Sequence, residues 1–226
     1  MRLLANICYG PSEYNHWLLS DEILNIIKMI LSETNLYRGT FLNFAYVLGN
    51  LAGDSLQTRD LLMNHAVFDV FISKMPLNIV KENFSEFSWV IRLFLRGNDD
   101  RNYPSIEITK KLVKIVAEIF KSSYDPGVIF ESGWSLCFFL NCNIDKQERI
   151  DWIISLDILH HLGKCLFELN FTLKPLLPLL FILEKLAEGS EHQVVSVFNN
   201  DSDIEVKSVL NREYSGMLSK AVWRLV

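Results

Sequence analysis

The chain has 226 residues, enough for one large core or a run of stacked units, and half of them are hydrophobic, which excludes disorder over the whole length. Its net charge of -5 argues against a general nucleic-acid binder, because phosphate binding needs clustered Lys and Arg. An acidic chain is a better electrostatic match for a basic ligand.

Neither a membrane span nor a secretory signal is predicted. The longest apolar stretch, residues 176–183, contains Pro178 and is followed by Glu184 and Lys185, so it is well short of the roughly 18 to 20 residues that a membrane span needs. The start of the chain lacks an apolar core of secretory length. The irregular spacing of the cysteines in apolar surroundings is typical of buried thiols in a reduced compartment: Cys8, Cys137, Cys142 and Cys165. We therefore expect the cytosol or the nucleus.

The first part of the chain is predicted to be helical. Residues 1–9 are expected to form the last helix of a repeat whose beginning lies outside the sequence, ended by a Gly-Pro pair. Apolar residues from 13 to 31 keep a helical spacing across a break at Ser20, whose side chain can cap the next helix. After a polar turn, residues 44–54 form a helix on which Tyr46 and Asn50 share one face. The other sides carry Val47, Leu48 and Leu51.

Four further units follow along the chain. The second, residues 58–97, has helices at 59–64 and near 67–74, the latter ended by Pro76, and a long helix bearing Trp89. The third has a helix at 106–121 and, after a turn at 122–127, the helix of Trp134. The fourth has a helix from 149, another at 158–169 and a third at 172–188. The fifth ends inside a helix that carries Trp223.

Aromatic residues recur at one interval along these units. Tyr46 and Trp89 are 43 residues apart, Trp89 and Trp134 are 45 apart, and the next steps of similar length reach Phe181 and Trp223. Armadillo repeats have a period of roughly 40 to 47 residues and the same order of short, middle and long helix. The sequence therefore predicts an all-α, right-handed armadillo-repeat solenoid formed by residues 1–226, with about five repeats and incomplete terminal repeats.

The repeated segments resemble motifs of the importin-alpha family, the armadillo adaptors that bind nuclear localisation signals. Tyr46-Val-Leu-Gly-Asn-Leu-Ala-Gly-Asp54, followed by Arg59-Asp60, is similar to the family's W-A-L-G-N-I-A-G-D and R-D. Residues 89–97 correspond to W-T-L-S-N-L-C-R-G and residues 133–138 to C-W-A-I-S-Y. The later motifs are matched only by residues 184–190 and by Val222-Trp223. The family has about ten repeats, and this chain holds roughly half that number.

The resemblance implies that the chain binds the basic signal peptides of cargo proteins for nuclear import, in the cytoplasm and nucleus. In that family asparagines bind the peptide backbone, indole faces hold the stems of Lys or Arg, and acidic residues meet their charges. The peptide-binding residues that it implies are Asn6, Tyr46, Asn50, Asp54, Trp89, Glu131, Trp134 and Trp223.

Several positions depart from the family pattern, so we expect weakened binding, confined to the N-terminal half. Arg2 stands at an expected tryptophan, and Leu93 stands at an expected asparagine. Phe181 and Lys185 replace the polar pair of the fourth repeat. The sequence also shows no basic segment of the kind that importin-beta binds, so this chain alone is not expected to recruit that carrier. The alternative is a divergent armadillo scaffold that has lost nuclear-signal recognition.

Metal binding and catalysis are the competing interpretations. His161 and Cys165 share a helix face, and Cys137 and Cys142 are five residues apart, but neither a paired CxxC nor an HExxH spacing occurs. Each tryptophan taken singly could also be a core residue. No phosphate-binding glycine loop and no nucleophile motif is found. The sequence therefore predicts no cofactor, no metal and no enzymatic activity.

Overall fold

The computed structural model describes residues 15–97, 102–167 and 173–193, and within these ranges it contains helices and turns but no strand. It divides into two compact units, Met1–Val116 (unit 1) and Ala117–Val226 (unit 2). That the whole chain forms a single solenoid stays a prediction. The calls on residues 1–14 and 194–226, including Asn6 and Trp223, lie outside the described residues. In the described part of the chain, no helix combines the length and apolar character that crossing a membrane requires.

Unit 1 is a succession of helices closed by polar caps. The Ser20 side chain accepts a hydrogen bond from the Ile23 amide, as the sequence predicts, and the Ser55 side chain does the same for the Thr58 amide. Its helices are α1 (Asn15–Leu18), α2 (Asp21–Ser32), α3 (Arg38–Asp54), α4 (Leu56–Asn64), α5 (Ala66–Asn78), α6 (Phe84–Leu95) and α7 (Ile106–Lys121), whose last residues belong to unit 2. A short 3-10 turn, Lys81–Asn83, precedes α6.

The core of unit 1 lies where α3, α5 and α6 meet. The rings of Phe41 and Phe71 stack with centroids 5.3 Å apart, and Phe87 packs against Phe41 at 5.9 Å. Val47, Leu48 and Leu51 are all buried, which leaves Tyr46 and Asn50 on the half-exposed face of α3. The predicted faces of this helix are therefore confirmed.

Unit 2 contains α8 (Pro126–Leu140), α9 (Lys146–Ser155), α10 (Leu159–Phe167) and α11 (Leu173–Ala187). Asp125 caps α8 by accepting hydrogen bonds from the amides of Gly127 and Val128, and Pro126 occupies the first helical position, where its missing N–H costs nothing. α8 and α11 pack closely at Gly133, where an added Cβ would lie only 3.0 Å from Pro178 Cβ. This glycine lets the two helices approach.

Pro76 and Pro178 lie beyond the first turn of their helices, and the expectation that Pro76 ends its helix is wrong. Pro76 lies two residues before the end of α5, which continues to Asn78, and the Asn78 side chain donates to the Lys74 carbonyl. Pro178 lies in the middle of α11. The Pro178 carbonyl accepts a hydrogen bond of 3.1 Å from the Cys137 thiol, which joins α11 to α8.

Candidate functional site

The aromatic pair of unit 1 lies across the contact between α3 and α6. The rings of Tyr46 and Trp89 have centroids 6.2 Å apart and an interplanar angle of 46°. Both side chains are half-buried, so each keeps an accessible surface. Gly49 lies beneath the indole, and an added Cβ there would be 3.0 Å from Trp89 Cζ3. The glycine of the motif therefore makes room for the tryptophan of the next helix.

Glu86 is a site residue that sequence reasoning missed. The Glu86 carboxylate lies close to the Tyr46 hydroxyl. Burial raises the pKa of Tyr46, and the charge and the hydrogen bond of Glu86 raise it further. The missed signal was positional, because Glu86 precedes Trp89 by three residues, as Glu131 precedes Trp134. The contact fixes the phenol ring and places a carboxylate beside the aromatic pair.

Asn50 and Asp54 continue the face of Tyr46 by one and two turns of α3. Asn50 is half-buried and Asp54 is exposed. Together they complete the unit 1 site, which we define as Tyr46, Asn50, Asp54, Glu86 and Trp89. It combines two aromatic faces, one amide and two carboxylates on two packed helices.

Leu93 replaces an amide next to this site and packs on α3 instead. Its methyl groups would lie 3.5 and 3.6 Å from a Cβ at Gly53, which is ordinary van der Waals contact. A leucine offers neither a donor nor an acceptor to a peptide backbone. The unit 1 site therefore takes its amide from Asn50, on α3.

The Arg-Asp pair of the motif has a structural role. Arg59 is 1% exposed, and its guanidinium donates to the carbonyls of Arg96 and Asn102 and forms an ion pair of 2.6 Å with Asp60. These bonds satisfy a carbonyl just beyond the end of α6 and hold the segment that follows. Arg59 thus fixes the end of the helix that carries Trp89.

Unit 2 carries an aromatic surface, which we define as Phe130, Trp134, Phe138 and Phe181. The first three are spaced four residues apart on α8, and Trp134 lies 6.4 Å from each of its two neighbours by ring centroid. Phe181 of α11 lies 5.4 Å from Trp134 and is 41% exposed. The Lys174 Nζ atom lies 4.7 Å from the centroid of the Phe130 ring. Glu131 is half-buried, one turn before Trp134 on α8.

Lys185, which departs from the family pattern, has a carboxylate partner within its own unit. Its ammonium is 3.0 Å from Glu188, whose carboxylate also meets Lys146 at 2.8 Å. Burial of Glu188 acts to raise its pKa, but the hydrogen bonds from the two lysines lower it below the ordinary value. The charge of Lys185 is therefore partly neutralised.

The candidate metal ligands have packing roles in unit 2. Cys137, Cys142 and Cys165 are buried cysteines, and burial raises the pKa of Cys137. The rings of His161 and Tyr124 stack with centroids 4.5 Å apart, and the His161 Nε2 atom lies 3.0 Å from the Ser123 carbonyl oxygen. In the described part of the chain, no three His, Cys, Asp or Glu side chains cluster in a way that could hold a metal ion.

Comparison with known proteins identifies the class. No protein-family model matches the sequence. A designed armadillo-repeat protein in complex with the peptide (KR)4 superposes with a TM-score of 0.73 at 16% identity, covering 99% of this chain and 90% of that one. The chain is therefore an armadillo-repeat protein.

Among the curated relatives is importin subunit alpha-5 of Arabidopsis thaliana, 24% identical over 115 residues, which are 51% of this chain and 21% of that protein. Importin subunit alpha-2 of the same organism is 22% identical over 152 residues, 65% of this chain and 26% of that protein. The match thus spans a fifth to a quarter of these relatives. The chain thus combines the armadillo-repeat fold with weak sequence similarity to importin alpha subunits.

Proposed function

We propose that this chain is an importin-alpha-like adaptor that binds the basic nuclear localisation signals of cargo proteins. Its affinity is lower than that of a chain in which every repeat keeps both the aromatic residue and the amide. The observation that carries the proposal is the unit 1 site, where the Tyr46–Trp89 pair lies beside two carboxylates and an amide. The likeness to importin alpha subunits supports it. Such an adaptor works in the cytoplasm and the nucleus.

Each group of the unit 1 site has a role in this proposal. The faces of Tyr46 and Trp89 hold the aliphatic stem of a Lys or Arg and add a cation-π attraction of about 0.5 to 2 kcal/mol. Asp54 and Glu86 attract its charge, and Asn50 binds the peptide backbone, at about 0.5 to 1.5 kcal/mol for a net hydrogen bond.

Binding is weakened where amide positions are lost. The residue four positions after the aromatic is Asn50 in the first motif, but it is Leu93, Phe138 and Lys185 in the next three. None of these supplies the paired donor and acceptor of an amide. We therefore place the stronger part of the binding surface in unit 1, with Glu131 and Trp134 as further contacts.

A titration of fluorescein-labelled (KR)4 peptide, followed by anisotropy at low and physiological salt, tests the proposal. We expect saturable binding that weakens with salt, and a loss of about tenfold for Asp54→Lys, since this change reverses a charge at the site. The matched control is Asp69→Lys, which reverses an exposed charge on α5 and leaves the affinity within about twofold. Absence of binding at low salt would overturn the proposal.

A second candidate function is a scaffold that assembles with a protein partner and no longer reads nuclear signals. The specific observation in its favour is the conversion of the amide and aromatic pattern in unit 2 to Phe138, Phe181 and an ion-paired Lys185. A pull-down partner that excess (KR)4 peptide does not displace would support this alternative.

A further inference from the structure

The aromatic surface of unit 2 differs in chemistry from the unit 1 site. Around Tyr46, unit 1 presents an amide and two carboxylates, whereas Trp134 lies among the rings of Phe130, Phe138 and Phe181 and has one carboxylate, that of Glu131, a turn away on α8. Aromatic faces attract cations through their quadrupole, but they accept hydrogen bonds only weakly. Unit 1 should therefore favour a cation with N–H donors, and the aromatic surface of unit 2 should favour a cation without them.

The chain itself shows that this surface accommodates a cation. The ammonium of Lys174 lies 4.7 Å from the centre of the Phe130 ring, within the roughly 6 Å range of a cation-π contact. Lys174 is exposed, so a ligand can displace it without breaking a buried contact. Phe130 and Trp134 pack edge to face at an interplanar angle of 81°, and both rings are half-buried, so each keeps an accessible surface.

The choice of cation follows from desolvation. A lysine ammonium has three N–H donors that must find acceptors when they leave water, and rings supply none of ordinary strength. A trimethylammonium group has no donors and is cheaper to desolvate, while it keeps the positive charge that the rings attract. The carboxylate of Glu131, one turn from Trp134, adds long-range attraction for either form.

We propose that the unit 2 aromatic surface binds a methylated lysine side chain within the peptide ligand. This inference rests on the proposed peptide binding and adds to it a preference in one unit for a methylated residue. The other site, around Tyr46 and Trp89, has carboxylates for N–H donors and does not share the preference.

Three labelled (KR)4 peptides test the inference by anisotropy, with all lysines unmodified, trimethylated or acetylated. Trimethylation should tighten binding about three- to tenfold, which corresponds to roughly 0.7 to 1.4 kcal/mol and is within the range of a partly desolvated cation-π contact. Acetylation, which removes the charge, should weaken it. The gain should disappear in Trp134→Ala and in the milder Phe181→Leu, and it should persist in the control Trp17→Ala, which removes an exposed indole outside both sites.

The outcomes separate this inference from the proposed function. Equal affinity for the unmodified and trimethylated peptides refutes the methyl-lysine preference and leaves basic-peptide binding intact. If the acetylated peptide binds as well as the trimethylated one, the surface recognises only apolar groups and not the charge, which also refutes the methyl-lysine preference. Failure of all three peptides to bind refutes the proposed function as well. Phe181→Leu guards against misfolding, because the side chain is 41% exposed.

Discussion

Replacing Gly49 with alanine should damage both stability and peptide binding, although alanine is the better helix former. The new Cβ would lie 3.0 Å from Cζ3 of Trp89 and 3.1 Å from Cγ2 of Val90, against about 3.5 to 4.0 Å for an ordinary contact. Val90 is fully buried, whereas Trp89 is half-buried, so we expect the Trp89 ring to shift and to disturb its packing on Tyr46.

The expected magnitude comes from two opposing terms. Alanine in place of glycine gains up to about 1 kcal/mol of helix stability. Overpacking by one methyl group typically costs about 1 to 3 kcal/mol. Gly49→Ala should therefore lower the free energy of unfolding by about 0 to 2 kcal/mol. Gly53→Ala, whose Cβ meets Leu93 only at 3.5 Å, should keep or raise it.

Urea denaturation and (KR)4 anisotropy on both variants measure these effects. We expect Gly49→Ala to be the less stable by about 1 to 3 kcal/mol and to bind at least about threefold more weakly, because the aromatic pair is displaced. If the two variants are equally stable and bind equally well, the close packing of Trp89 on Gly49 is not what shapes the site.

Three further predictions concern single side chains. Leu93→Asn should strengthen (KR)4 binding by about 0.5 to 1.5 kcal/mol by restoring an amide, whereas Lys185→Asn should change little; an unchanged affinity for Leu93→Asn would show that the repeat register is wrong. Arg59→Met should lower the free energy of unfolding by about 2 to 4 kcal/mol in urea, because buried carbonyls lose their donor. Burial lowers the pKa of His161 below its ordinary value of 6.5, opposed by its bond to the Ser123 carbonyl. The contribution of His161 to the free energy of unfolding should therefore be fully present above pH 6.5 and decline as the pH falls below that value. A His161→Gln variant should show a melting temperature that depends less on pH.

One helix with strong periodicity could be predicted from sequence to the residue, and the others differ from their predicted bounds by one or more residues. The helix at 106–121 has the bounds of α7, and Ser20 caps α2 as expected. The face of α3 that carries Tyr46 and Asn50 follows from helical geometry alone. In these elements, local spacing and tertiary packing agree, so the pattern is sufficient.

The remaining features depend on contacts between helices. Pro76 was expected to end its helix, yet α5 continues for two residues, because a proline so near the C-terminus costs few hydrogen bonds. Glu86 joins the unit 1 site through the hydroxyl of Tyr46, a residue on a different helix. Arg59 likewise bonds to carbonyls 37 and 43 residues away. Sequence spacing within one helix carries no information about such partners.

The central claim is that a basic peptide binds at the unit 1 site, and photo-crosslinking tests it directly. A (KR)4 peptide with a terminal benzophenone would be irradiated with the protein, and the labelled segments identified by mass spectrometry. We predict labels in α3 and α6, suppressed by excess unlabelled peptide and by Asp54→Lys. Labels confined to other helices, such as α5 and α7, with α3 and α6 unlabelled, would contradict the claim.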